Sequence, residues 1–316
     1  MAIGLRLNYW LATGVAECGT SFCAAGNWLR DRGGRWRHDA AQAMARPLLA
    51  VPRVPPAQDS AHDAAPPLDA IVLATWLWGD GNARPDQVDE SLRLVRPFNL
   101  RPGARLLHVG AGLGGVSVAI AKSTGCRVAG FECDPAVIDA SEPWIRQSKR
   151  VTMTLLNAGG PEPPGPRWDH AYVRFVAHDL TERDQFLARC KVAMMPVGHI
   201  TVVDYASGPN ASPELAAWMA RQRNHSEPWT VERWRGSFAR SGFDLRIEED
   251  MSTQHRLRIL AAWHRLLAEG RLAGLGRRQL APLVSAAERW LREAVLIETG
   301  ALRVMRFYAI MSEGSS

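Results

Sequence analysis

No apolar run in the 316 residues reaches the length that spans a bilayer, because Arg, Asp or Pro interrupts every candidate. The chain is therefore expected to be soluble, with no membrane span. Residues Ile3 to Val15 are mildly apolar, but Arg6 stands among them and no convincing small-residue cleavage site follows, so a cytoplasmic rather than an exported protein is expected. Cysteine is scarce and unpatterned. Cys18, Cys23, Cys126, Cys133 and Cys190 show no metal-ligand spacing; they read as small core residues in a reducing compartment, and no metal is expected. Lysine is scarcer still. Only Lys122, Lys149 and Lys191 are present, so arginine carries nearly all of the positive charge in a chain of formal charge +6 and pI near 9.4. No run of five basic residues occurs, and the arginines of the last third alternate with apolar positions as solvated helix faces do. A nucleic-acid partner is therefore disfavoured, although Trp28, Arg30, Arg32, Arg35, Trp36 and Arg37 form a local aromatic and basic patch.

Branched aliphatic residues are also sparse before position 68. Pro47, Pro52, Pro55, Pro56, Pro66 and Pro67 stand among many alanines there, a composition that builds no packed core and reads as an extension and linker over 1–68. From residue 69 the pattern changes. Leu68, Ile71, Val72, Leu73 and Trp76 recur at helical spacing, and Val88, Leu92, Leu94 and Val95 mark a second helix. Apolar strand candidates then alternate with helices: strands at 105–109, 127–131, 151–156, 169–174 and 199–204, with two more at 243–248 and 302–310. Such alternation predicts an α/β, doubly wound parallel sheet with ligands at the carboxyl ends of its strands. Helices are expected at 181–192, 253–268 and 278–299, the second with Leu257, Leu260, Ala261, Trp263, Leu266 and Leu267 facing the core.

The most informative segment follows the first strand. His108 to Gly115 reads H-V-G-A-G-L-G-G, a glycine turn that lets backbone approach a ligand closely, and Glu132 ends the second strand about twenty residues on. An acid at that place accepts the two hydroxyls of a ribose. Two cofactor classes share this arrangement. Gly110, Gly112 and Gly115 match the G-x-G-x-x-G spacing of dinucleotide sites, which favours a nicotinamide-dependent oxidoreductase. S-adenosylmethionine, with no phosphate, needs only the first glycines, the ribose acid and a polar residue after the third strand, where Asn157 and then Ala158 stand.

At these positions the chain resembles class I S-adenosylmethionine-dependent methyltransferases, and among them the small-molecule group that includes phosphoethanolamine N-methyltransferases. The similarity runs from about Trp76 to the C-terminus. It is carried by Trp76-Leu77-Trp78-Gly79-Asp80-Gly81, the glycine turn, Gly130-Phe131-Glu132, Trp168 to Arg174, and Gly198 to Tyr205. The resemblance implies a seven-stranded sheet in the order 3-2-1-4-5-7-6 with the last strand antiparallel, within a domain over 69–316 whose segment 252–300 covers the acceptor pocket. It implies S-adenosylmethionine as cofactor, held by Gly110, Ala111, Gly112, Glu132, Asn157, Ala158 and Arg174. Arg174 then sits near the methionine end, or is a buried ion-pair partner. Asn157 departs from the family's usual aspartate, but its amide oxygen still accepts from adenine.

Methyl transfer from a sulfonium needs alignment and dryness more than a conspicuous nucleophile, so acid–base groups matter only for an acceptor that arrives protonated. His178 and Asp179 are the candidate pair. The resembled group has an aspartate where Phe175 stands and a histidine where Asp179 stands, so His178 comes one residue early here and the family's aspartate is replaced. Trp78, Tyr205, Arg223 and His225 are the candidate acceptor contacts, the last three implying an anionic group on the acceptor. The expected activity is methylation of a small metabolite, with an amine nitrogen favoured. The alternatives are the oxidoreductase and a module that holds a nucleoside without turnover. Oligomeric state has no signature in the sequence.

Overall fold

The computed structural model describes residues 66–85, 88–156, 167–176, 183–210, 212–220, 228–273 and 275–312. Seven strands form one sheet in the order β3-β2-β1-β4-β5-β7-β6. β1 (Arg105–Val109), β2 (Arg127–Glu132), β3 (Val151–Leu155), β4 (Trp168–Arg174) and β5 (Met194–Ser207) pair in parallel. β7 (Leu302–Met311) lies antiparallel between β5 and β6 (Phe243–Asp250). The strand order reverses beside β1, which pairs with β2 through Val109↔Phe131 and with β4 through Val109↔Val173. A crevice is expected at the carboxyl ends of strands on either side of such a reversal.

Local chemistry places the helices that frame this crevice. Before the sheet come α1 (Ala70–Trp78) and α2 (Val88–Val95). The Asp69 carboxylate caps α1 by accepting from the amides of Ile71 and Val72 at 2.7 and 3.1 Å. α3 (Gly115–Thr124) leaves the glycine turn and stops at Gly125, whose φ of 75° is a left-handed cap. α4 (Pro135–Ala140) begins on Asp134, which accepts from Ala136 N, with proline at the position where a missing N–H costs nothing. α5 (Glu142–Ile145), α6 (Arg183–Ala193), α7 (Pro213–Met219) and α8 (Val231–Arg240) complete the crossovers, and α9 (Ser252–Ala268) and α10 (Arg277–Glu298) separate β6 from β7. Both sheet faces are covered. Trp229, Trp234, Phe238 and Phe307 pack on one, and Leu94, Phe98, Ile120, Tyr172 and Leu296 on the other.

Two expectations change. β5 begins at Met194, not 199, because Met194 pairs with Trp168 across a register shift and Val197 takes a left-handed φ of 57° to carry the strand on. On α9 the buried face is His255, Ile259, Ala262, Trp263 and Leu266, whereas Leu257 and Leu267 are 47% and 41% exposed. The expected stripe shares Trp263 and Leu266 with this face but leaves out Ile259 and Ala262. Most of the 1–68 extension lies outside the described residues.

Candidate functional site

The glycine turn owes its course to steric limits on backbone. Gly110 has φ of 77°, and a Cβ there would lie 1.9 Å from the carbonyl oxygen of Arg174, so only glycine fits between β1 and β4. The amides of Gly110 and Ala111 both donate to Phe131 O, at 2.8 and 3.1 Å. This turns the loop across the end of β2, where Glu132 stands. Its Oε2 accepts from Gly112 N at 2.9 Å and its Oε1 from Cys133 N at 2.8 Å, with the side chain 1% exposed. Burial raises the Glu132 pKa, but the nearby Arg84 guanidinium and these amide donors outweigh it and hold the carboxyl below its ordinary value. The group is a carboxylate near neutral pH.

Glu132 opens on a cleft of about 510 Å³. Asp134, Ala136 and Val137 line its β2 side, and Trp78, Phe175, Tyr205, Trp290 and Glu293 line the side under α10. A carboxylate beside bare backbone, with a small apolar shelf next to it, suits a ribose diol and the base attached to it. The third glycine has a different function from the one its spacing suggests. Gly115 N, the first amide of α3, donates to Gly81 O at 3.0 Å, and a Cβ on Gly115 would lie 2.7 Å from that oxygen. The helix terminus on which a dinucleotide rests its pyrophosphate is occupied here by the chain's own carbonyl.

The other end of the cleft is aromatic and carries strain. Phe175, just past β4, adopts φ of 46° without being glycine, and its ring lies 5.1 Å from those of both Tyr205 and His255. The carbonyl of Phe175 accepts from Arg84, whose Nη2 is also 3.7 Å from Glu132 Oε1. Trp78 meets Trp290 edge-on at 4.9 Å. The Tyr205 hydroxyl donates to Glu293 Oε1 at 2.9 Å; burial and that neighbouring carboxylate push its pKa well above the ordinary tyrosine value.

Of the residues singled out in the sequence, Gly110, Ala111, Gly112 and Glu132 come together at the turn, and Trp78 and Tyr205 line the cleft. Arg174 is placed elsewhere. It is 1% exposed, is not among the cleft's lining residues, and pairs with Glu90 at 3.3 Å while donating to Tyr172 OH at 2.9 Å. Its surroundings are those of a buried ion pair, because β4 carries the side chain toward Glu90 on α2. Asn157, Ala158, His178, Asp179, Arg223 and His225 lie outside the described residues. Sequence reasoning missed Arg84, Glu293 and His255. The last two carried a signal, each being a titratable residue on the apolar face of its helix.

A scan of known protein-family models finds no match to this chain. The chain superposes on Haemonchus contortus phosphoethanolamine N-methyltransferase 2, solved with phosphomonomethylethanolamine and S-adenosylhomocysteine, with a TM-score of 0.68 and 20% identity over 77% of this chain and 58% of that one. The chain has the class I methyltransferase fold. Geranyl diphosphate C-methyltransferase from Streptomyces coelicolor A3(2) has it too, at a TM-score of 0.55 and 12% identity over 71% of this chain and 77% of that one. In sequence the chain is 24% identical to phosphoethanolamine N-methyltransferase 1 of Zea mays over 179 residues, 56% of this chain and 36% of that protein. It thus spans about a third of the length of the curated relatives it matches. Among the described residues no helix is long and apolar enough to cross a membrane, and no group of three His, Cys, Asp or Glu is placed to hold a metal.

Proposed function

We propose that this chain transfers the methyl group of S-adenosylmethionine to a small acceptor, and that the receiving atom is an amine nitrogen. The observation that carries this reading is the seating of Glu132: a buried carboxylate held by Gly112 N at the edge of a cleft, beside a turn with no side chain in the way. Glu132 would accept both ribose hydroxyls, and Ala136 and Val137 would flank the base. The bound cofactor supplies a methyl carbon on a positively charged sulfur, which departs as a neutral thioether. Trp78, Phe175 and Trp290 wall the acceptor side and keep water from the reacting atoms. The amine acceptor is supported by the phosphoethanolamine N-methyltransferases among the similar proteins and by the acidic, aromatic lining of the cleft. The glycine spacing also fits a nicotinamide enzyme, but the Gly81 carbonyl on Gly115 N disfavours a pyrophosphate there.

Isothermal titration of the full chain with S-adenosylhomocysteine and with NAD tests the cofactor. Binding of the first alone is expected; preference for NAD refutes the reading. Glu132→Ala should weaken S-adenosylhomocysteine binding by about 1.5–3 kcal/mol, the range for hydrogen bonds to charged groups. An unchanged affinity removes the ribose role. A nucleoside-holding module without turnover would bind S-adenosylhomocysteine and methylate nothing in a panel of amines and acids.

A further inference from the structure

Helix α10 carries an acid into the cleft on a face that is otherwise apolar, for Trp290, Leu291, Ala294 and Ile297 are all buried beside Glu293. Glu293 is itself 2% exposed. Both of its hydrogen bonds fall on one oxygen: Oε1 accepts from the Tyr205 hydroxyl at 2.9 Å and lies 2.7 Å from His255 Nε2. Oε2 has no partner among the described residues. His255 Nδ1 is buried and also unpartnered. With Nδ1 unpartnered, Nε2 is the ring nitrogen that carries a proton toward Glu293.

The carboxylate is therefore held through Oε1 by a hydroxyl and a ring N–H. Arg84 and Arg289 line the same cleft, and among the described residues the ion-pair contact to Glu293 comes from His255. A buried carboxylate without a cation is costly, and one that lines a cavity can be relieved by a cation bound there. Phe175, Trp78 and Trp290 supply ring faces around the same space, which also favour a positive charge. The Tyr205 hydroxyl, which the family resemblance assigns to an anionic acceptor group, already spends its proton on Glu293.

We infer that Glu293 is the acceptor-binding carboxylate, which receives the ammonium of an aliphatic amine on Oε2 and takes its proton, with Tyr205 and His255 as positioning residues. This rests on the methyl-transfer reading. Oε2 removes one proton from the ammonium, which frees the nitrogen lone pair. That pair forms the bond to the methyl carbon of the sulfonium donor as the carbon–sulfur bond breaks, and sulfur keeps the electrons. The nitrogen is again cationic, one methyl group larger, and Glu293 holds the proton until product leaves.

The test is titration of the full chain, saturated with S-adenosylhomocysteine, with n-butylamine and with its uncharged counterpart n-butanol. The wild type should bind the amine at least about tenfold more tightly than the alcohol, and Glu293→Gln, which keeps the acceptor for Tyr205, should bind the two alike. Unchanged S-adenosylhomocysteine affinity and a single cooperative melting transition in the variant show that it folds. Glu293→Asp, with the carboxylate drawn back by one methylene, should retain part of the preference. Equal binding of amine and alcohol by the wild type, or an amine preference that survives in Glu293→Gln, overturns the inference. Failure of the wild type to bind S-adenosylhomocysteine instead overturns methyl transfer, whichever of the two small molecules the cleft prefers.

Discussion

Glu132 and Glu293 face one cleft, yet only the first was read as a site residue from the sequence. Glu132 stands at a fixed distance from a glycine turn, and a turn that tolerates no side chain announces itself by composition. Glu293 acquires meaning from Tyr205 and His255, which are 88 and 38 residues away along the chain, so no local pattern could assemble the cluster. His108 is a similar case within the glycine segment. It is buried against Ser117 Oγ at 2.7 Å, and burial, with the nearby positive charge of Arg174, brings its pKa down to about 3. The folded chain therefore refuses a proton that the unfolded chain accepts below about pH 6.5. Stability contributed by the neutral ring is complete above that pH and is lost progressively as pH falls toward about 3. Each pH unit in that window costs about 1.4 kcal/mol for this group, and His170, brought to about 4 mainly by burial, adds to the same slope. Urea unfolding between pH 6 and 4 should show a shallower decline in His108→Asn than in the wild type. Equal slopes would mean that His108 is not the group responsible.

Among the elements, the glycine spacing was legible and its purpose was not. The third glycine of the motif fits a dinucleotide on spacing alone, and only the carbonyl of Gly81 lying on Gly115 N reveals that a preceding strap of chain fills the place. The strap is the Trp78-Gly79-Asp80-Gly81 segment, whose continuation delivers Arg84 to Glu132. Gly115→Ala should push it away, because the added methyl would meet Gly81 O at 2.7 Å and Gly81 Cα at 2.9 Å, both backbone atoms. The expected result is weaker S-adenosylhomocysteine binding with the sheet intact by circular dichroism. Wild-type affinity in the variant would show that the strap does not shape the site. Asp69→Ala should cost about 1 kcal/mol in thermal or urea unfolding by uncapping α1, the helix that ends in the same strap. On α9 apolar residues lie on more than one face, so hydrophobicity alone does not select Ile259 and Ala262, which are buried, over Leu257 and Leu267, which are not.

For the whole molecule, strand alternation made the layered sheet legible, while the order of the last two strands came from the family resemblance and not from pattern. What no sequence rule exposed is how distant parts are tied together. Glu90 on α2 pairs with Arg174 on β4 and, through both carboxylate oxygens, with Arg258 on α9, 168 residues away. Despite its burial, these two arginines hold its carboxyl below the ordinary value. Glu90→Ala would remove the carboxylate that two guanidinium groups share, one of them fully enclosed, and should lower the free energy of unfolding by about 3–5 kcal/mol in urea denaturation. A loss below about 1 kcal/mol would mean that water reaches the arginines. The placement of β7 has a different consequence. Because it wedges between β5 and β6, a nascent polypeptide emerging from the ribosome holds both of those edges bare until residues beyond Leu302 are synthesised. Five of the seven strands can be assembled early, but β6 has no neighbour to dock on until translation has almost reached Met311, which leaves a late window in which unpaired edges can recruit other chains.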